Sequence, residues 1–291
     1  MSESNLVSVF HGSASCKVPN DLVLTHMSTS ITAAAERIES LFTGTSNTVI
    51  QPDGAVKIIN GNNMTVECRT VKQHVDKFCE YLKGCRIHQY TINVESALRV
   101  NDLWDDDPIG SGGPGIVDST LLTDSEVTSI QSIFSPFTDV VTQDELLRHC
   151  DASYISRIKK KYKSSSLFKC EMRKRFNRSK MIGESPEISQ FNEYVWLDLT
   201  FKFRDWALSR RHDALVYCNE KEGSGADSYV MLKQNCKLKP VHSLQINIDK
   251  YRSEVPDRLG IQINKSNKAW LQGIIPTSLL WADLSPADFW Y

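Results

Sequence analysis

The stretch from Tyr194 to Arg204, YVWLDLTFKFR, decides how the second half of the chain is read. Val195, Leu197, Leu199, Phe201 and Phe203 occupy every second position, with Tyr194, Trp196, Asp198, Thr200, Lys202 and Arg204 between them. A period of two is the pattern of a strand with one face in a core. The spacing therefore predicts a β-strand whose other face is polar and aromatic. Asp198 and Lys202 would share that outer face. An acid that binds a metal, with a lysine nearby to orient water, is a pairing suited to metal-dependent phosphodiester cleavage. These two residues are the catalytic candidates if the chain is a nuclease or other transferase with its site on the 194–204 strand.

Downstream of this stretch the strand signals continue. Ala214 to Cys218 and Tyr229 to Leu232 are expected to pair as a hairpin around Glu222-Gly223-Ser224-Gly225, with further strands at Leu244 to Ile248, Leu259 to Ile263 and Trp270 to Ile275. Residues 191–291 thus read as an antiparallel β-rich region. Its final segment, SLLWADLSPADFWY, is expected to pack its rings on that region, the alternative being a docking motif for a partner.

Upstream lies the basic stretch from Asp151 to Lys180, with eleven Lys or Arg against two acids, a local net of +9 in a chain whose total is −1. A capping box at Thr142-Gln143-Asp144-Glu145 predicts a helix that continues through Cys150, Tyr154, Ile158 and Tyr162, ending in lysines that complement its macrodipole. A second helix is expected from Leu167 to Phe176. Tyr154, Tyr162, Phe168 and Phe176 are interleaved with the cations, a combination that suits a phosphate backbone and stackable bases. The function expected is non-enzymatic nucleic-acid binding, RNA being one candidate. Arg157, Lys159, Lys160, Lys161, Lys163, Arg173, Arg175 and Arg178 would grip the phosphates. The alternative is an assembly or adaptor protein whose basic helix docks an acidic partner.

Residues 1–101 read as an α+β region. Strands are expected at Leu6 to Phe10 and Leu22 to Thr25, helices at Thr32 to Phe42 and Val71 to Leu82, a three-stranded meander between Thr48 and Cys68, and a strand from Arg86 to Val94. Residues 102–118, rich in Asp, Gly and Pro, form a loop or linker. Residues 119–190 form the helical basic segment, opened by a capping box at Thr123-Asp124-Ser125-Glu126. The fold class is α+β: an N-terminal α+β region, a central basic helical segment and a C-terminal antiparallel β-rich region.

Three short pieces stand apart from this charge-based reading. His11-Gly12 follows one strand, Ser28-Thr29-Ser30 follows another, and Glu220 and Glu222 are two residues apart. In these pieces the chain resembles ADP-ribosyltransferases. The sequence contains no phosphate-binding loop of the Gly-x-x-x-x-Gly-Lys type, no Gly-x-Gly-x-x-Gly, no Gly-x-Ser-x-Gly and no His-Glu-x-x-His.

An apolar fraction of 41% and a charged fraction of 24% exclude a largely disordered chain. Cys68, His74, Cys79, Cys85 and His88 put five soft-metal ligand types in one stretch, but only Cys85 and His88 have the close spacing of a zinc pair. No metal site and no cofactor are expected. The eight cysteines have no paired spacing and read as reduced core thiols. With no apolar run long enough to span a membrane and no basic, apolar leader at the start, the expected location is cytoplasmic or nuclear, not secreted and not in a membrane.

Overall fold

A computed structural model describes residues 6–19, 21–43, 47–50, 55–59, 65–101, 122–135, 151–181, 186–219, 225–233, 239–249 and 289–290. Strand β1 (Leu6–Ser13) and helix α1 (Ile31–Thr43) form as expected, and between them lies strand β2 (His26–Ser28), which the sequence pattern does not predict. Leu22 to Thr25 do not form the expected strand. Val23 makes a single bridge to Met231 and Leu24 has a φ of 59°, a left-handed turn that delivers the chain into β2. The meander is present as β3 (Asn47–Ile50), β4 (Ala55–Ile59) and β5 (Thr65–Thr70), a separate three-stranded antiparallel sheet.

Helix α2 (Val71–Leu82) starts at a reciprocal cap. The Gln73 amide donates to Thr70 Oγ1 at 3.2 Å, and the Thr70 amide donates to Gln73 Oε1 at 2.9 Å. These bonds satisfy two of the first-turn N–H groups that have no partner within the helix. Strand β6 (Arg86–Asn93) and strand β7 (Ala97–Arg99) follow. Helix α3 (Asp124–Phe134) begins at the Thr123–Glu126 box read from the sequence, the Glu126 carboxylate accepting from the Thr123 amide at 2.9 Å.

The basic segment folds as helix α4 (Ala152–Lys161) and helix α5 (Ser166–Met181). Asp151 is the N-cap of α4, with extended φ and ψ of −109° and 178°, and its carboxylate accepts from the Tyr154 amide at 2.8 Å. An extended residue interrupts a helix, so the single long rod expected from Thr142 to Tyr162 is replaced by a helix that begins at Ala152. The capping box at Thr142 to Glu145 lies outside the described residues, as do residues 102–118.

The principal correction falls on Tyr194 to Arg204, which is the interior of helix α6 (Pro186–Ser209). Val195, Leu197, Asp198, Leu199, Thr200, Phe201, Phe203 and Ala207 are all buried. A helix covered on most sides needs no polar stripe, and its apolar residues can fall on any spacing. Here Val195 with Leu199, Leu197 with Phe201, and Phe203 with Ala207 also satisfy the i, i+4 spacing of a helix. Among the described residues these form the largest apolar cluster, with Ile130 and Phe134 of α3, Ile155 and Ile158 of α4, and Phe168 and Met172 of α5.

Strands β8 (Ala214–Asn219) and β9 (Ala226–Met231) make the predicted hairpin, and β10 (His242–Ile246) and β11 (Phe289–Trp290) also belong to the larger sheet. The order across that sheet is β11-β10-β6-β1-β2-β9-β8-β7. Among the described strands, every pairing in it is antiparallel except β7 with β8. Strands from residues 1–101 and from residues 191–291 therefore share one sheet. The strands expected at Leu259 to Ile263 and Trp270 to Ile275 lie outside the described residues.

Two groups of helices cover this sheet. Phe10, Ile87, Leu244 and Ile246 pack with Ala35 and Ile38 of α1 and Phe78 and Leu82 of α2, whereas Leu215, Tyr217, Val230 and Leu232 belong to the cluster around α6. Gly12 marks the closest approach of α1 to β1: a Cβ there would lie 2.1 Å from the Ala34 carbonyl oxygen. Only a residue without a side chain fits.

Candidate functional site

In an antiparallel sheet, residues paired across neighbouring strands point to the same face. One such row crosses the centre of the large sheet. Ser243 of β10 pairs with His88 of β6, and His88 with His11 of β1. The pairing of Phe10 with Ser28 sets His11 beside Met27 of β2. Met27 then pairs with Tyr229 of β9, Tyr229 with Val216 of β8, and Val216 with Arg99 of β7. Asp227, two residues before Tyr229, holds Arg99 by two hydrogen bonds of 3.1 and 3.0 Å.

The opposite face carries a second row, in which Phe10 pairs with Ser28, Ser28 with Ser228, and Ser228 with Tyr217. Ser28 and Ser228 are buried. The Ser30 amide donates to Ser28 Oγ at 3.1 Å and the Ala33 amide to Ser30 Oγ at 3.3 Å. The Ser28-Thr29-Ser30 piece thus forms the turn that launches α1. Thr29 is tied to β9, its hydroxyl donating to the Asp227 carbonyl at 3.0 Å.

Histidines concentrate around this centre. His11 Nδ1 lies 3.1 Å from the His26 carbonyl oxygen, His26 Nδ1 lies 2.7 Å from the Tyr217 hydroxyl, and His88 Nδ1 lies 2.9 Å from Ser243 Oγ. Burial lowers the His11 imidazole to about 4, and it also lowers His88. The His11 ring is neutral at pH 7. The His11-Gly12 piece of the sequence lies within β1 rather than after it. Ser28-Thr29-Ser30 ends the adjacent strand β2, and the connection that carries Glu220 and Glu222 joins β8 to β9, the strand beside β2. Glu220 and Glu222 themselves lie outside the described residues. No local signal announces Arg99 with Asp227, or His26 with Tyr217, because these partners are 128 and 191 residues apart.

The nuclease candidates take a different place. Asp198 is buried inside α6 and accepts from Tyr162 Oη at 2.9 Å, Lys161 Nζ at 3.1 Å and Tyr154 Oη at 3.3 Å, while Lys202 Nζ lies 2.9 Å away. Burial pushes its carboxyl up. The Lys202 hydrogen bond and charge, together with Lys161 and Tyr162, more than offset this and hold it below its ordinary value. Four partners leave this carboxylate tying α4 to α6 rather than facing a substrate from a strand. Among the described residues, no group of three His, Cys, Asp or Glu could hold a metal ion.

The predicted phosphate-gripping residues separate into two sets. Arg157, Lys159, Lys160, Lys161, Lys163 and Arg173 are exposed on α4, on the turn after it, and on α5. Arg175 is buried, its guanidinium donating to Glu193 at 2.8 Å. Arg178 lies on α5, its side chain outside the described atoms. The aromatic residues between them are engaged within the fold. Tyr162 and Phe168 stack on one another at 4.1 Å and both are buried. Phe176 meets Tyr194 edge-on at 6.0 Å, Lys159 caps the Tyr194 ring at 4.9 Å, and Arg157 lies 5.6 Å from the Tyr154 ring centre.

Of the cysteines, Cys79 and Cys85 are buried, but Cys16, Cys68, Cys170 and Cys218 are exposed, so the reading of core thiols holds for only part of the set. Among the described residues, no helix is long and apolar enough to cross a membrane. Comparison with protein-family models, with curated proteins and with solved structures gave no match for this chain.

Proposed function

We propose that this chain transfers an ADP-ribosyl group from a nicotinamide dinucleotide donor at the centre of its larger sheet. The observation that supports this is the order β1-β2-β9-β8. Three short pieces, His11-Gly12, Ser28-Thr29-Ser30 and the connection bearing Glu220 and Glu222, belong to adjoining strands, with Ser28 on the face opposite to His11. In such a transfer the bond between ribose C1′ and the nicotinamide ring nitrogen breaks, nicotinamide leaves neutral, and the ribose takes on oxocarbenium character. A carboxylate from Glu220 or Glu222 would offset that developing positive charge. The acceptor then attacks C1′ and gives up its proton. A neutral His11 can hydrogen-bond the donor's hydroxyl groups without setting a second cation beside the positively charged nicotinamide ring.

The test uses donor labelled in its adenylate half. Label should become covalently attached to the protein or to an added macromolecular acceptor, and His11→Ala and Glu222→Gln should each lower the rate at least a hundredfold at a temperature where both variants remain folded. Absence of transfer by a folded wild-type chain, across protein and nucleic-acid acceptors, would overturn the proposal.

A second function, nucleic-acid binding, is supported by a different observation: Arg157, Lys159, Lys160, Lys161, Lys163 and Arg173 are all exposed on α4, α5 and the turn between them. Replacing Lys159, Lys160 and Lys161 by Ala should weaken oligonucleotide binding and flatten its salt dependence. An acidic protein partner would use the same surface, and retention of an acidic peptide but not of an oligonucleotide would favour the adaptor role instead.

A further inference from the structure

We infer that the α4–α5 face takes a double-stranded nucleic acid, held through its phosphates alone, rather than a single strand; this rests on the second function above. Single strands are gripped by aromatic platforms on which unpaired bases stack, each base contributing roughly 1–3 kcal/mol. The sequence places four rings among the cations, but the fold uses them internally. Tyr162 and Phe168 are stacked on one another and buried. Phe176 is turned toward Tyr194, and Tyr154 donates its hydroxyl to Asp198 at 3.3 Å. Cations are what remain. Arg157, Lys160, Lys163, Lys169 and Arg173 are exposed, and among the described residues none of the five has an ion-pair partner.

Such a surface responds to charge density. A duplex carries one phosphate per about 1.7 Å of its axis, whereas a single strand carries one per about 3.4 Å. The lysines Lys160 and Lys163 straddle the end of α4, and Lys169 and Arg173 lie one turn apart on α5, so the cations are spread over two helices and the turn between them. Contact with phosphates alone also predicts indifference to sequence, and similar affinity for DNA and RNA duplexes.

The experiment is fluorescence anisotropy of the full chain with a labelled duplex of about 20 base pairs and with each of its strands alone, at about 50 mM salt, where phosphate contacts are strongest. The duplex should bind at least tenfold tighter than either strand. Its log–log salt slope should approach roughly −4 to −5 if all five cations engage. The triple variant Lys160→Glu, Lys163→Glu, Arg173→Glu, checked for unchanged melting, should lose that binding. Tighter binding of a single strand would overturn the inference while leaving nucleic-acid binding intact. Binding of neither form would overturn both, and capture of a polyglutamate peptide in the same assay would then assign the face to acidic proteins.

Discussion

Lys202 Nζ lies 2.9 Å from Asp198 Oδ2, one turn further along the same helix. On a strand these two residues would share an open face about 13 Å apart, at roughly 3.3 Å per residue. On α6 they form an i, i+4 pair whose acid is buried and also binds Lys161, Tyr154 and Tyr162. The same two residue types at the same spacing therefore change from catalytic candidates to a structural tie.

Asp198→Asn should consequently cost stability. Removing one partner of a buried, hydrogen-bonded charge leaves the others unsatisfied, at about 2–3 kcal/mol, with the ionic part reduced because both lysines are partly exposed. Urea denaturation measures this. An unchanged midpoint would show that the carboxylate is not holding α4 to α6.

Stability should fall in mild acid. Burial lowers His11 and His74 from 6.5 to about 4 in the folded chain. Between those values the unfolded chain binds more protons, so stability is complete above about pH 6.5 and declines as the pH drops toward 4. Imidazole titration by NMR should place both midpoints well below the ordinary histidine range, and ordinary midpoints would refute the burial of these rings.

Gly12→Ala should damage the fold, because its Cβ would lie 2.1 Å from the Ala34 carbonyl oxygen and this backbone atom cannot rotate away. Overpacking of this kind costs about 1–3 kcal/mol or more. A melting temperature equal to wild type would mean that α1 does not sit against β1 as described. The variant also separates two explanations for the glycine, since a purely functional role would lower activity without lowering stability.

Removing Phe289 to Tyr291 deletes β11, which pairs Phe289 with Ile246 and Trp290 with Gln245 on β10. The truncated chain should melt at a lower temperature and expose the amides of β10 to faster hydrogen exchange. Unchanged exchange at Gln245 and Ile246 would instead favour the aromatic end as a free docking motif.

Local chemistry was legible in the sequence wherever it was sufficient. The Thr123–Glu126 box, the turn residues of the β3–β5 meander and the Gly223–Gly225 hairpin each predict their element from a few neighbouring residues. The 194–204 stretch was misleading because burial on most sides removes the polar stripe that distinguishes a helix. Its apolar residues then satisfied a period of two and an i, i+4 spacing together. On sequence alone the aromatic residues of the basic stretch suit a stacking platform, because sequence cannot tell which side of a helix meets the core. Pairs such as His26 with Tyr217 and Arg99 with Asp227 depend on sheet order, which no local pattern carries.

The most direct measurement of the central claim is the release of free nicotinamide when the full chain is incubated with the dinucleotide donor, followed by chromatography or proton NMR. Time-dependent release by wild type, lost in His11→Ala and Glu222→Gln at a temperature where both variants remain folded, is the predicted result. A well-folded chain that neither binds the donor nor releases nicotinamide, with or without an added acceptor, would contradict it.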